Sequence, residues 1–347
     1  MWQLLKCHGD SEGPLVVPVK AFMLWKRILF LLVLFTTASG QVPQQLDTLR
    51  AEGYEALYNL DYEGARRRFQ KMIELAPDHP AGPQCYAASL WIQQLNESWE
   101  LKSTLYSDKA YKTEKAKVDR RQIEEFRKYT RRTKQLSEAR LRKNPRDVEA
   151  LYFLGAAEGL EAAYSAAVER KFMSALRTGS SAVDHHRKVL ELSPKFYDAE
   201  LTIGLQNYVI GSLSLPLKML AGTVGVRGSK KKGLKELEHV AAEGEWGRDV
   251  ARVLLVDLYK LEKRWDDAIA TARELSQRFP RNYLFKLQLA DAMALKMAAA
   301  RKSKTPVNPA EERELFAIFD SLLRDKTLAA QTQLIQFRRN ETVRLLK

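Results

Sequence analysis

Residues 46–79 read LDTLRAEGYEALYNLDYEGARRRFQKMIELAPDH. Ala65, Phe69, Met72 and Ile73 recur at i, i+4, i+7 and i+8, so they share one face of a helix. Tyr62 and Ala65 open that helix and Pro77 stops it. Gly53 sits in the preceding amphipathic stretch, where a small residue lets a second helix come close. Two short antiparallel helices cannot bury an apolar face alone, so the segment requires neighbours of the same kind.

The spacing recurs along the chain. Ten residues after Pro77 comes Ala87; Pro145 leads to Gly155, Pro194 to Gly204 and Pro280 to Ala290. Twelve residues before each proline stand Ala65, Thr133, Ala182 and Ala268. The unit 249–282 repeats the pattern most fully, with Tyr259, Trp265, Ala268, Ala272 and Pro280 in register. A period in the thirties marks a helical repeat. With these positions in phase, the segment resembles a tetratricopeptide repeat (TPR). That resemblance implies an all-α fold, a right-handed α-solenoid of TPR-like helix pairs, some with elongated helices. Units are expected at about 46–79, 80–147, 148–196, 197–247, 249–282 and 283–325, with a capping helix at 327–347 whose Arg338, Arg339, Asn340 and Glu341 suit a polar outer face.

Composition agrees. The 347 residues include 45% hydrophobic ones, enough for a continuous core. No alternating strand pattern stands out. Cys7 and Cys85 form neither a disulfide framework nor a paired zinc-ligand motif. At the N-terminus, Met23 opens MLWKRILFLLVLFTTASGQ, with Lys26 and Arg27, an apolar run Ile28–Phe35, and small residues at Thr36–Gly40. This is signal-peptide anatomy, with cleavage expected near Gly40–Gln41. Residues 1–22 then read as an upstream extension from a mis-called start, and 23–40 as the signal peptide. Export to a bacterial periplasm or the extracellular space is the corresponding expectation. Loss of residues 1–40 removes four basic and two acidic groups, taking the net charge from +14 to +12.

Between the repeats the chain varies. Ala81–Asp108 reads as a long first helix, with Trp91, Leu95 and Trp99 on one face. Asp108–Asp147 carries fifteen basic and seven acidic residues, a net +8. Val118, Ile123, Phe126, Tyr129, Leu136 and Leu141 run between these charges at helical spacing, which predicts an amphipathic helix with a solvated charged face. Asp147–Thr178 reads as one extended helix, broken at Gly179-Ser180-Ser181, with Ala182–Leu192 as its partner. His185 and His186 point about 100° apart on such a helix and do not form an i, i+4 metal pair; they read as surface or packing residues. The stretch GTVGVRGSKKKG at 222–233 misses the phosphate-loop spacing, because Arg227 stands where the second glycine belongs. It reads as a connecting loop, able at most to offer N–H groups and Lys230–Lys232 to an anion. Residues 215–241 also resemble, through Leu215, Pro216, Lys218, Gly225, Gly228, Gly233, Leu234 and Leu237, a segment of the tetratricopeptide-repeat 39 and inclusion-body-clearance proteins. Those relatives are non-enzymatic.

No HExxH, GxSxG or paired-cysteine motif occurs, so no catalytic residue, metal or cofactor is assigned. The resemblance implies a protein-interaction scaffold whose first helices line a concave groove for a protein or peptide partner. By register, that groove would carry Arg50, Tyr54, Tyr58, Trp91, Tyr152, Tyr208, Asp257, Lys260 and Asp291. The second class is a surface-association module that binds an anionic membrane or polymer through the basic helix 109–146, with Arg120, Arg121, Arg127, Lys128, Arg131 and Arg132 as its contacts. Nucleic acid suits such a patch less well, because an exported protein seldom meets it.

Overall fold

The computed structural model describes residues 42–97, 119–223 and 225–347. The expected upstream extension, the signal segment and the stretch 98–118 lie outside the described residues. The chain divides after Thr48, and Leu49–Lys347 forms one compact unit. Before the division, residues 42–48 are helical, with Thr48 Oγ1 donating to the Gln44 carbonyl at 2.9 Å.

The second unit is all-α, with no strand among the described residues. Its helices are α1 (residues 49–58), α2 (Tyr62–Leu75), α3 (Ala81–Glu97), α4 (Arg120–Lys143), α5 (Val148–Ala167), α6 (Phe172–Leu192) and α7 (Glu200–Ser212). There follow α8 (Leu215–Thr223), α9 (Lys230–Glu243), α10 (Arg248–Leu261), α11 (Trp265–Arg278), α12 (Tyr283–Lys302), α13 (Pro309–Arg324) and α14 (Thr332–Leu345). Sequence neighbours pack on one another, α5 on α6 and α7 on α9 most extensively. This is a TPR-like helical repeat. The register residues explain the packing: Ala65, Ala87, Thr133, Gly155, Ala182, Gly204, Ala268 and Ala290 are all buried. A Cβ at Gly53 would collide with the Phe69 ring, which seats α2 on α1. A Cβ at Gly233 would lie 2.5 Å from the Gly204 carbonyl oxygen, so α7 and α9 meet backbone to backbone. Among the described residues no helix is long and apolar enough to cross a membrane.

Caps set the boundaries. Asp61 accepts from the Gly64 N–H at 2.8 Å, Asp147 from Ala150 at 3.0 Å, and Asn308 from Ala310 at 2.9 Å just before Pro309. Four turns inside helix pairs hold a residue other than glycine in the left-handed region: Leu60 (φ 65°), Arg170 (φ 59°), Lys263 (φ 59°) and Lys304 (φ 55°). The third pair corrects the expected break. Its turn lies at Val168–Lys171, where Arg170 reverses the chain, and α6 runs unbroken through Gly179-Ser180-Ser181. Ser180 Oγ donates to the Leu176 carbonyl at 2.9 Å, and Gly179 faces Ala162, so these small residues pack inside a helix rather than end one. Ahead of the connecting loop expected at 222–233 the chain forms α8, anchored by a cluster of Leu176, Ile210, Leu213 and Ala221.

The helical series closes on itself. Tyr58, at the end of α1, packs on Phe279 with ring centroids 5.0 Å apart. Asn282, between α11 and α12, donates from Nδ2 to the Tyr58 carbonyl at 2.7 Å. The Arg281 N–H donates to Asn59 Oδ1 at 3.3 Å. The inner helix faces line a cavity.

Candidate functional site

The cavity measures about 400 Å³ and is walled by α1, α3, α5, α6, α7, α10 and α12. Its size falls within the ~300–1,000 Å³ typical of ligand sites. The local sequence explains the space. The inner face of α5 presents Ala156, Gly159, Ala162, Ala163, Ala166 and Ala167, and α6 adds Ala175 and Gly179. The alanines form helix well, and all of these residues have too little side chain to fill the interior. Leu201, Leu205 and Val209 of α7 and Val250, Val253 and Leu254 of α10 complete an apolar wall.

An aromatic and polar cluster occupies one end. Tyr152 stacks on His186 at 5.2 Å and meets Phe196 at 4.9 Å and Trp246 at 5.3 Å. The Arg50 guanidinium lies 3.9 Å over the Trp246 ring, a cation–π contact. Trp246 is held inward by Asp198, a buried carboxylate that accepts from the Glu245, Trp246 and Gly247 N–H groups at 3.3, 3.0 and 2.7 Å. Such charge-assisted bonds to a turn fix it firmly.

Four polar atoms of cavity-lining residues are fully covered and have no hydrogen-bond partner among the described residues: Tyr58 Oη, Gln84 Oε1, His186 Nδ1 and Trp246 Nε1. His186 Nε2 faces the Tyr152 carbonyl at 3.0 Å, so Nε2 carries the proton and Nδ1 is a bare acceptor. The set therefore holds two donors, the tyrosine hydroxyl and the indole N–H, and two acceptors. Unpaired buried polar groups are rare and each costs about 1–3 kcal/mol.

Burial also fixes the charge states. It pulls the His186 imidazole down to about 4 from 6.5 and pushes the Cys85 thiol up to about 11, with Arg50 pulling the thiol back. Burial likewise raises the Tyr54, Tyr58 and Tyr152 hydroxyls far above the ordinary phenol range. Near neutral pH these lining groups are uncharged beside the Arg50 guanidinium. They can donate and accept hydrogen bonds, but none is poised as a base or nucleophile.

Of the residues expected along a groove, Arg50, Tyr54, Tyr58, Trp91 and Tyr152 come together at this cavity. Tyr208, Asp257, Lys260 and Asp291 lie elsewhere. Tyr208 is fully buried between α7 and α9, its hydroxyl donating to Glu262 at 2.8 Å. Asp257 and Lys260 form a buried ion pair at 2.7 Å, and Asp291 pairs with Arg338 of α14. The C-terminal helix brings Arg338 to these charges, so they serve its docking. On α4, the buried face is Phe126, Thr130, Thr133, Leu136 and Ser137. Arg120, Arg121, Lys128 and Arg131 are exposed; Arg127 pairs with Glu169, and Arg132 donates to the Pro77 carbonyl at 3.1 Å. Asp198, Trp246 and Gln84 were not singled out in the sequence. Their signal in the sequence is residue type alone: an aspartate and a tryptophan beside short turns, and a glutamine in the first turn of α3. Among the described residues no group of three or more His, Cys, Asp or Glu could hold a metal.

Comparison with known proteins finds a likeness among solved structures. The crystal structure of a thermophilic TPR protein of Thermus thermophilus matches 72% of this chain and 98% of its own, at 16% identity and a TM-score of 0.39. No family model and no curated protein sequence matches. The comparisons add nothing to the narrower resemblance of residues 215–241.

Proposed function

We propose that the protein is an exported interaction scaffold that binds one segment of a protein partner, whose apolar side chains enter the inner cavity. The observation that carries this reading is a largely apolar inner cavity with an aromatic cluster and Arg50 among its lining residues. A peptide segment suits such a space, because its apolar side chains can bury against the Ala-rich wall of α5. Arg50, beside the aromatic cluster, favours an acidic side chain or a terminal carboxylate. The uncharged state of Cys85, His186 and the lining tyrosines supports binding rather than catalysis. The basic helix α4 supports its rival role less well, since Arg127 and Arg132 already bond within the fold.

The test is a crosslinking pull-down with wild type, Ala163→Trp to fill the cavity, and Arg120→Glu/Arg121→Glu/Arg131→Glu on α4. Ala163→Trp is expected to lose a discrete protein that the α4 variant keeps. Retention by Ala163→Trp and loss by the α4 variant would place binding on the basic helix instead.

A further inference from the structure

Helix α8 breaks the rule that a surface helix is apolar on one side only. Leu217 and Ala221 face the cluster that anchors it. On its other side Leu215 is 71% exposed, Met219 67% and Leu220 40%. One charged residue, Lys218, lies among its nine. The surrounding chain is as unusual in charge. Residues 201–235 contain no aspartate or glutamate but carry Lys218, Arg227, Lys230, Lys231, Lys232 and Lys235. Lys230 pairs with Glu262 and Lys232 with Glu236. Lys218, Arg227 and Lys231 are exposed and make no ion pair among the described residues. An exposed apolar patch flanked along the chain by cations marks an interaction surface.

We propose that α8 and the basic segment after it dock the protein on an anionic lipid bilayer. Leu215, Met219 and Leu220 enter the headgroup boundary, and Lys218, Arg227 and Lys231 meet lipid phosphates. A second copy of the chain is the poorer occupant, because two such acid-free segments repel each other. The surface is separate from the inner cavity, so the proposal stands whether or not the cavity binds a peptide.

The test is co-sedimentation of the full chain with vesicles of phosphatidylcholine alone and of phosphatidylcholine with phosphatidylglycerol. The quantity read is the gain from anionic lipid, which cancels binding by other apolar segments. Lys218→Glu/Arg227→Glu/Lys231→Glu is expected to reduce that gain about a hundred-fold, and Leu215→Ser/Met219→Ser to reduce it at least about ten-fold. Arg120→Glu/Arg121→Glu/Arg131→Glu on α4 should leave it unchanged, and salt should weaken it. A tryptophan placed by Met219→Trp should shift its emission to the blue with anionic vesicles only. The altered side chains are exposed, and an unchanged circular dichroism spectrum confirms folding. A gain that persists in both α8 variants, or that disappears only in the α4 variant, overturns the proposal. So does self-association lost on Leu215→Ser/Met219→Ser without any vesicle binding.

Discussion

Asn282 ties the turn between α11 and α12 to the end of α1. Its Nδ2 donates to the Tyr58 carbonyl at 2.7 Å, across 224 residues, while its Oδ1 accepts from the Leu284 N–H at 3.0 Å. One side chain thus satisfies an orphan carbonyl at the end of α1 and caps the start of α12. Because it is 2% exposed, water cannot replace either bond.

Asn282→Ala should therefore destabilise more than removal of an ordinary cap. A loss of about 2–4 kcal/mol is expected for Asn282→Ala, against about 1 kcal/mol for Asn308→Ala, which only caps α13. Urea unfolding of both variants measures the difference. Equal losses would mean that the Tyr58 contact contributes nothing.

Asp198 predicts the placement of Trp246. Removing a carboxylate that accepts from three N–H groups leaves those donors buried, so Asp198→Ala should cost about 3 kcal/mol or more. Tryptophan emission should shift to the red and near-ultraviolet dichroism should weaken as the ring leaves the cavity. Asp198→Asn, which keeps an acceptor, should recover part of both signals.

His186 gives a pH dependence whose sign is fixed. Its folded value is about 4, below the ordinary 6.5. The unfolded chain therefore takes up this proton first, and stability is full above pH 6.5 and falls as pH drops toward 4. The loss should approach roughly 3 kcal/mol. His185, raised by its bond to Glu158, acts with the opposite sign: its stabilisation is present below 6.5 and is lost as pH rises through its folded value. Urea titrations between pH 7 and 4 should show a shallower fall for His186→Leu than for wild type, and a steeper one for His185→Leu.

The turn between α10 and α11 holds Lys263 at φ 59°, a region that disfavours any residue with a Cβ. Lys263 is exposed. Lys263→Gly should stabilise the fold by roughly 0.5–1 kcal/mol, the strain relieved exceeding the entropy that glycine adds to the unfolded chain. A shift of the thermal midpoint upward is the readout.

The repeat was legible because its defining residues act locally. Gly53 under Phe69 and Gly155 under His186 are contacts between helices of one pair, and such contacts leave a period in the sequence. The turn at Arg170 was not legible, since nothing in Glu169-Arg170-Lys171 announces a left-handed residue, whereas Gly179-Ser180-Ser181 carries breaker composition yet packs inside α6. The site was legible only in part. Arg50, Tyr54, Tyr58, Trp91 and Tyr152 line the cavity, but Tyr208, Asp257, Lys260 and Asp291 are covered by later helices. The closure through Tyr58 and Asn282 joins residues far apart in the chain, and no periodicity encodes it.

The most direct measurement is site-specific photocrosslinking from position 92, where Ile92 lines the cavity, with the crosslinked segment identified by mass spectrometry. The account predicts one recurring apolar segment of one protein, lost on Ala163→Trp and absent when the crosslinker sits at position 131 on α4. Crosslinks that appear only from position 131, or a cavity that yields a small extractable amphiphile and no peptide, would contradict it.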